Sequence, residues 1–223
     1  MVDFGATALS GMRRIGREPH ELAALAFTHL HGDHIGGLPF LWIDSLFNRR
    51  RTEPLEILGP VGTQQRLTTL LEVTYGRSIA EVSLPFELSF TEIAPNEGRE
   101  LAGFRVDGFP ADHMDPPEQP LCLRIESPDG RKLAFSGDTA MCEGLMDASR
   151  GVDLLVAECT GLAHPVGRHC AWEDWAGVLP HLDARSVLLT HLGEHVRAAA
   201  ERGELTAGGV ALSFADDGRM IEL

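Results

Sequence analysis

Residues 28–34 read Thr-His-Leu-His-Gly-Asp-His, which sets His29, His31 and His34 and the carboxylate of Asp33 within six consecutive positions. Neutral imidazole nitrogens and a carboxylate oxygen are what a zinc ion takes, at about 2.0–2.2 Å. Such crowding is unfavourable as core and as surface filler, so a metal-binding loop outweighs a histidine-rich surface turn. Gly32, Gly36 and Gly37 let the backbone turn tightly, so that side chains from both arms of the loop can point inward. Three more residues of the same chemistry lie downstream. Asp138 stands in Ser136-Gly137-Asp138-Thr139; taken alone it could be a helix N-cap or a turn residue. His191 ends an apolar run, where a buried imidazole needs a polar partner. His113 lies in a proline-rich loop, and alone it could simply be exposed.

These side chains need rigid supports. Residues 23–28 are a short apolar run that reads as a buried strand. Residues 40–47 are apolar at helical spacing. Residues 55–58 predict a strand stopped by Gly59-Pro60, and residues 63–75 a helix with Gly76 as its C-cap. Strands are predicted over 86–93 and 101–109. Leu121–Glu126 and residues 132–136 flank Ser127-Pro128-Asp129-Gly130, a strong hairpin signal. A strand over 154–157, a helix over 172–182 limited by Pro180, a strand over 187–190 and a helix over 194–202 follow. Residues 210–214 and 219–223 are expected to close the fold as a pair around Asp216-Asp217-Gly218. Trp172 and Trp175 are expected to pack their helix on a sheet. His29, Asp138 and His191 each sit just past a strand end, and His113 follows the run 104–109 by a few residues. Strand ends anchor the loops in which ligands converge. Strands and helices alternate without a regular βαβ rhythm. Two mixed sheets packed face to face, with helices outside, fit the pattern better.

The 223 residues suffice for one large domain or two small ones, and 43% hydrophobic with 23% charged residues is ordinary for a globular protein. No apolar run approaches the ~18 residues of a membrane span, and the N-terminus has no basic region followed by an apolar core. Cys122, Cys142, Cys159 and Cys170 form no C-x-x-C motif, which argues against a zinc ribbon and reads as reduced, mostly buried thiols. Together these features point to the cytoplasm. Nineteen Lys and Arg against 33 Asp and Glu give a net charge of −14. That field disfavours a large polyanionic substrate. The one basic run, Arg49-Arg50-Arg51, reads as a solvated loop after a helix.

The segment His29-Leu30-His31-Gly32-Asp33-His34 resembles the signature of the metallo-β-lactamase superfamily, in its ribonuclease Z-like branch. The resemblance extends over Phe27 to Pro39, Leu58-Gly59-Pro60, Phe135-Ser136-Gly137-Asp138-Thr139, Leu155 to Thr160, and Leu188-Leu189-Thr190-His191, in family order and across nearly the whole chain. It implies an α/β (α+β) fold, the αββα sandwich of two mixed β-sheets flanked by helices, as a single domain over 1–223. It also implies a hydrolase with two divalent metal ions, zinc first and manganese or iron as alternatives. His29, His31 and His113 would bind one metal, Asp33, His34 and His191 the other, and Asp138 would bridge. A metal-activated hydroxide would attack phosphorus or a carbonyl carbon, with Asp33 orienting it or accepting its proton. By the same resemblance Glu158 would orient His169, which would stabilise the transition state or protonate the leaving oxygen. Read without it, the two are a strand-end Glu and a His preceding a helix. Where the family has a small hydroxyl residue after that His, this chain has Cys170. His20, His164, His181 and His195 match no ligand position.

Two departures shape the substrate expectation. Family members that process transfer RNA carry a long basic arm before the Ser-Gly-Asp strand, whereas here a four-residue turn joins the two strands. Transfer RNA is therefore a poor candidate, and a small phosphodiester, a cyclic nucleotide or another compact ester is expected. Family members also have two or more strands before the segment resembling Val2-Asp3-Phe4-Gly5. Either the assigned start is truncated or the first sheet is short, and an uncovered edge predicts a homodimer. The alternative activity is hydrolysis of carboxylic esters, as in a lactonase, thioesterase or β-lactamase. Two further readings are an inactive metal-binding module acting through a partner and an iron-dependent redox protein; the latter usually has Glu at the position of His31.

Overall fold

The computed structural model describes residues 1–222, with Ala80 described by its backbone alone; Leu223, the last residue of the closing pair expected from the sequence, lies outside the described residues. The chain divides into two compact units, Met1–Ala94 and Pro95–Leu223.

In the first unit, β1 (Ala24–Ala26), β2 (Leu55–Pro60) and β3 (Leu88–Ile93) form a three-stranded sheet in that order, both pairs parallel. Parallel pairs need crossover connections, and helices supply them. The segment α2 (Gly32–Ile35) and α3 (Leu38–Ile43) links β1 to β2, and α4 (Thr63–Tyr75) with α5 (Arg77–Ala80) links β2 to β3. Leu25, Phe27, Ile57, Leu67 and Phe4 are buried in one apolar cluster. α4 starts where Gly62 takes a left-handed φ of 95°. Its first amides are capped from the neighbouring strand, since the Glu92 carboxylate accepts from Gly62 N at 3.0 Å and Gln64 N at 2.9 Å. The helix expected over 40–47 begins earlier, as α3, and continues as a π-helical turn over Asp44–Asn48.

The basic run departs from its reading as a solvated loop. Arg51 is only 2% exposed. Its guanidinium donates to Glu53 O at 2.7 Å, Pro54 O at 2.6 Å, Pro19 O at 3.4 Å and the carbonyl of Leu22. The fork of five donors matches a ring of carbonyls that water cannot reach. Burial lowers its pKa. Arg49 pairs with Glu18 at 3.1 Å, and Arg50 is exposed.

In the second unit a seven-stranded sheet runs β10-β9-β8-β7-β6-β5-β4 among the described residues. Strands β4 (Gly98–Leu101), β5 (Phe104–Pro110), β6 (Leu121–Glu126) and β7 (Lys132–Phe135) pair antiparallel. Strands β8 (Leu154–Glu158), β9 (Ser186–Thr190) and β10 (Ala211–Phe214) then add in parallel. The strand expected over 101–109 is two, because Ala102 and Gly103, at φ 49° and 83°, turn the chain between β4 and β5. The β6–β7 hairpin forms as expected, with Gly130 at φ 86° in its turn. The closing pair does not form. β10 pairs with β9, and residues 219–222 are in no strand. Arg219 instead donates its guanidinium to Phe214 O at 2.7 Å, an acceptor that a pairing strand would need.

Helices α6 (Glu143–Ser149), α7 (Trp172–Val178) and α8 (Glu194–Glu201) complete the unit. α7 stops short of residue 182 because Pro180 cannot donate to the helical ladder, and a 3-10 turn over Leu179–His181 replaces its last turn. Trp175 is fully buried in the core with Leu155, Val187 and Leu189, and its indole donates to Glu158 O at 2.9 Å. Trp172 packs on Phe214 with ring centroids 6.3 Å apart.

Candidate metal centre

In the first unit the loop after β1 gathers the histidine-rich segment. The His29 ring lies 4.9 Å from that of His31 and 3.9 Å from that of His34, centroid to centroid. His34 Nε2 is 3.5 Å from Asp33 Oδ2. Asp3, to which the sequence reading gave no role, organises this cluster. Its carboxylate accepts from Thr28 N at 2.8 Å, Thr28 Oγ1 at 2.9 Å and His34 Nδ1 at 2.7 Å. With its proton donated to Asp3, the Thr28 hydroxyl accepts from His29 Nδ1 at 3.1 Å. Both imidazoles are thereby held as the tautomer with its lone pair on Nε2, the form a cation takes. Gly5 and Gly37 make the approach possible: a Cβ at either would collide with backbone, of Asp33 for Gly5 and of Gly5 itself for Gly37.

The second unit repeats this logic. His113, Asp138 and His169 bring one ligand atom each within 4.8 Å of one another, and so do Glu158, His169 and His191. Asp138 Oδ2 stands 4.0 Å from His113 Nε2 and 3.5 Å from His191 Nε2. His113 Nδ1 donates to Arg168 O at 3.0 Å. His191 Nδ1 donates to Thr160 Oγ1 at 2.8 Å, and that hydroxyl passes its proton to Glu158 Oε2 at 2.7 Å. Again each Nε2 keeps the lone pair. His191 has a left-handed φ of 50°, a strained conformation for a residue with a Cβ and one that gathers at functional positions.

Glu158, only 1% exposed, is the hub of this unit. Beyond Thr160, its carboxylate accepts from Thr139 N at 2.7 Å and His169 Nδ1 at 2.8 Å. Burial pushes its pKa up to about 7, against the pull of the Thr139 and Thr160 hydrogen bonds. Thr139, fully buried beside Asp138, also accepts from Asp112 N at 2.9 Å, so one threonine ties the Asp138 turn to the His113 loop. Cys170, where the family has a hydroxyl residue, donates its thiol to Thr139 O at 3.2 Å. Thr139 and Thr160 stood in the motifs read from the sequence but drew no role, because a hydroxyl's partners depend on the fold. His20, His181 and His195 are exposed, and His164 is a surface residue 3.6 Å from Asp174. A cavity of about 420 Å³ opens beside His191, lined in part by Thr160, Gly193, Arg197 and Asp216. The donor set of imidazoles, those of His29, His34, His113 and His191 oriented through Nδ1, with ionisable carboxylates, fits a borderline divalent cation.

Residues 2–192 match the family model described as the beta-lactamase superfamily domain. The chain belongs to the metallo-β-lactamase superfamily, in its ribonuclease Z-like branch. It is 26% identical over 241 residues to the ribonuclease Z of Methanothermobacter thermautotrophicus, covering 86% of this chain and 76% of that one. Among solved structures it resembles the metallo-β-lactamase fold protein YhfI of Bacillus subtilis at a TM-score of 0.76 and 21% identity, over 99% of this chain and 86% of the other. It also resembles a diphosphatase of the PhnP family at a TM-score of 0.71 and 19% identity, over 100% and 79%. The fold is thus that of the metallo-β-lactamases, two sheets flanked by helices, and the family implies divalent metals and hydrolysis. Among the described residues no helix is long and apolar enough to cross a membrane.

Proposed function

We propose that the chain is a metal-dependent phosphodiesterase acting in the cytoplasm on a compact substrate, with residues 1–223 serving as one catalytic domain. On this reading His29, His31 and His113 would hold one divalent cation, Asp33, His34 and His191 would hold a second, and Asp138 would serve both, with zinc as the cation. When bound, two such cations lower the pKa of water toward neutrality and offset charge that develops on substrate oxygens. Asp33 orients the attacking water and takes its proton.

His169 distinguishes phosphorus from carbon. The observation that carries the reading is the 2.8 Å hydrogen bond from His169 Nδ1 to the buried carboxylate of Glu158, in an imidazole stacked 5.4 Å from that of His191. An ionised Glu158 stabilises the imidazolium, whose Nε2–H then donates to the leaving oxygen of a phosphodiester. An acyl transfer makes less demand on such an acid. The similarity to a ribonuclease Z and to a diphosphatase supports phosphorus as the reacting atom. The tight β6–β7 turn, the charge of −14 and a cavity of about 420 Å³ support a small phosphodiester over transfer RNA.

The test is turnover of bis(p-nitrophenyl) phosphate by zinc-loaded protein. Activity is expected, and His169→Ala should reduce kcat by roughly 10²- to 10⁴-fold with zinc content unchanged. Good turnover of lactones or thioesters, with none of the phosphodiester, would overturn the reading in favour of a carboxylic-ester hydrolase.

A further inference from the structure

His113 stands on a segment that has no ladder of its own. Residues 111–120 join β5 to β6 and lie in no helix or strand. Such a segment holds an imidazole in place only where other groups grip it. At its base Ala111 N donates to Pro120 O at 3.0 Å, and Asp112 N donates to Thr139 Oγ1 at 2.9 Å. Further along, four consecutive residues all meet Arg168. Asp112 Oδ1 lies 3.5 Å from its Nε. His113 Nδ1 donates to its carbonyl at 3.0 Å. Its Nη1 donates to Met114 O at 3.1 Å, and its Nη2 to Asp115 Oδ1 at 2.6 Å.

One exposed ion pair would carry little. Here a rigid, planar fork meets three residues in three directions, and the backbone oxygen of the same residue takes a fourth contact. A point charge such as lysine could not reproduce that pattern. Arg168 is itself well anchored on its C-terminal side. His169 Nδ1 is bonded to Glu158, Cys170 O accepts from Thr160 N at 3.0 Å, and Ala171 pairs with Gly161 in an isolated parallel bridge. The segment 169–171 is thus fixed to the end of β8, and Arg168 carries that fixation across to residues 112–115. The His113 and His169 rings meet edge to face with centroids 4.8 Å apart.

We propose that Arg168 is a positioning residue that clasps the His113 loop to the His169 segment and so sets the distance between a metal ligand and the proton donor. Its backbone carbonyl fixes the His113 tautomer, and its guanidinium keeps the loop where that carbonyl can act. Arg168 works through His113 and His169 alone. The clasp stands on the contacts above; its effect on turnover rests on the phosphodiesterase reading.

The test compares wild type with Arg168→Ala and Asp115→Asn, each as the full chain. In unloaded protein, hydrogen exchange read by mass spectrometry should run about tenfold faster in peptides covering 111–120 of Arg168→Ala, with β8 peptides unchanged. Zinc affinity, from competition with a chromophoric chelator, should fall about 10- to 100-fold. At saturating zinc, kcat on bis(p-nitrophenyl) phosphate should fall about tenfold while KM stays within about twofold. Asp115→Asn should show the same changes in smaller measure. Added to Arg168→Ala it should cost nothing more, because its partner is already gone. The Asp115 side chain is 82% exposed, so that variant decides the matter if Arg168→Ala misfolds. Unchanged loop exchange, unchanged zinc affinity or full additivity of the two substitutions would overturn the clasp. An undiminished kcat at saturating zinc would overturn the positioning of His169, and a raised KM with kcat intact would make Arg168 a substrate contact instead. Absence of turnover in the wild type would count against the phosphodiesterase reading and leave the clasp to be decided by exchange and affinity.

Discussion

At the scale of single residues, the candidate ligands depend on neighbouring side chains that orient them. Asp3 fixes His34 directly and His29 through Thr28, and Glu158 fixes His169 directly and His191 through Thr160. In both units a carboxylate and a threonine hydroxyl decide which imidazole nitrogen carries the proton. A ligand that must first rotate or change tautomer binds a cation more weakly, and loss of such a support typically costs 10- to 100-fold in affinity. Asp3→Ala is therefore expected to weaken zinc binding by about 10- to 100-fold. Competition against a chromophoric chelator reads this out, and unchanged affinity would show that Asp3 does not organise the loop.

At the scale of elements, the loops are held by polar staples where apolar packing is thin. Arg51 is the strongest case. One buried guanidinium gathers carbonyls from residues 19–22 before β1 and 53–54 before β2, and it lies 5.5 Å from the Phe86 ring centroid. Its neutral replacement leaves those carbonyls buried without donors, at a cost of roughly 3 kcal/mol or more. Arg51→Met should lower the urea midpoint accordingly, while Arg50→Ala, on the exposed side of the same run, should change stability by less than about 0.5 kcal/mol. Equal midpoints for the two variants would mean that the buried fork is energetically idle.

At the scale of the whole molecule, the sheet of the first unit has edges to manage. Residues 1–3 run beside β1, with Met1 N donating to Ala24 O and Asp3 N to Ala26 O, both through backbone contacts, and β3 forms the opposite edge. Unpaired strand edges recruit other strands, and a second copy of the chain is the partner always at hand. We therefore expect a homodimer: light scattering on concentrated protein should give twice the 24.2 kDa chain mass. A mass of one chain throughout the concentration range would refute it.

The sequence alone brought the candidate metal ligands into view. His29, His31, Asp33 and His34 are adjacent in the chain, so their spacing survives any uncertainty about the fold, and Asp138 and His191 stood at strand ends that apolar runs made visible. The β6–β7 hairpin and α4 were equally legible, because turn residues and helical spacing are local signals. Only the tertiary structure decided that Asp3 serves His34, that Thr139 binds both Glu158 and the His113 loop, and that Arg51 is buried. It also placed β10 in parallel beside β9. Each of these is a contact between residues far apart in the chain, and a hydroxyl, thiol, carboxylate or guanidinium carries no mark in the sequence of the partner that folding will bring to it.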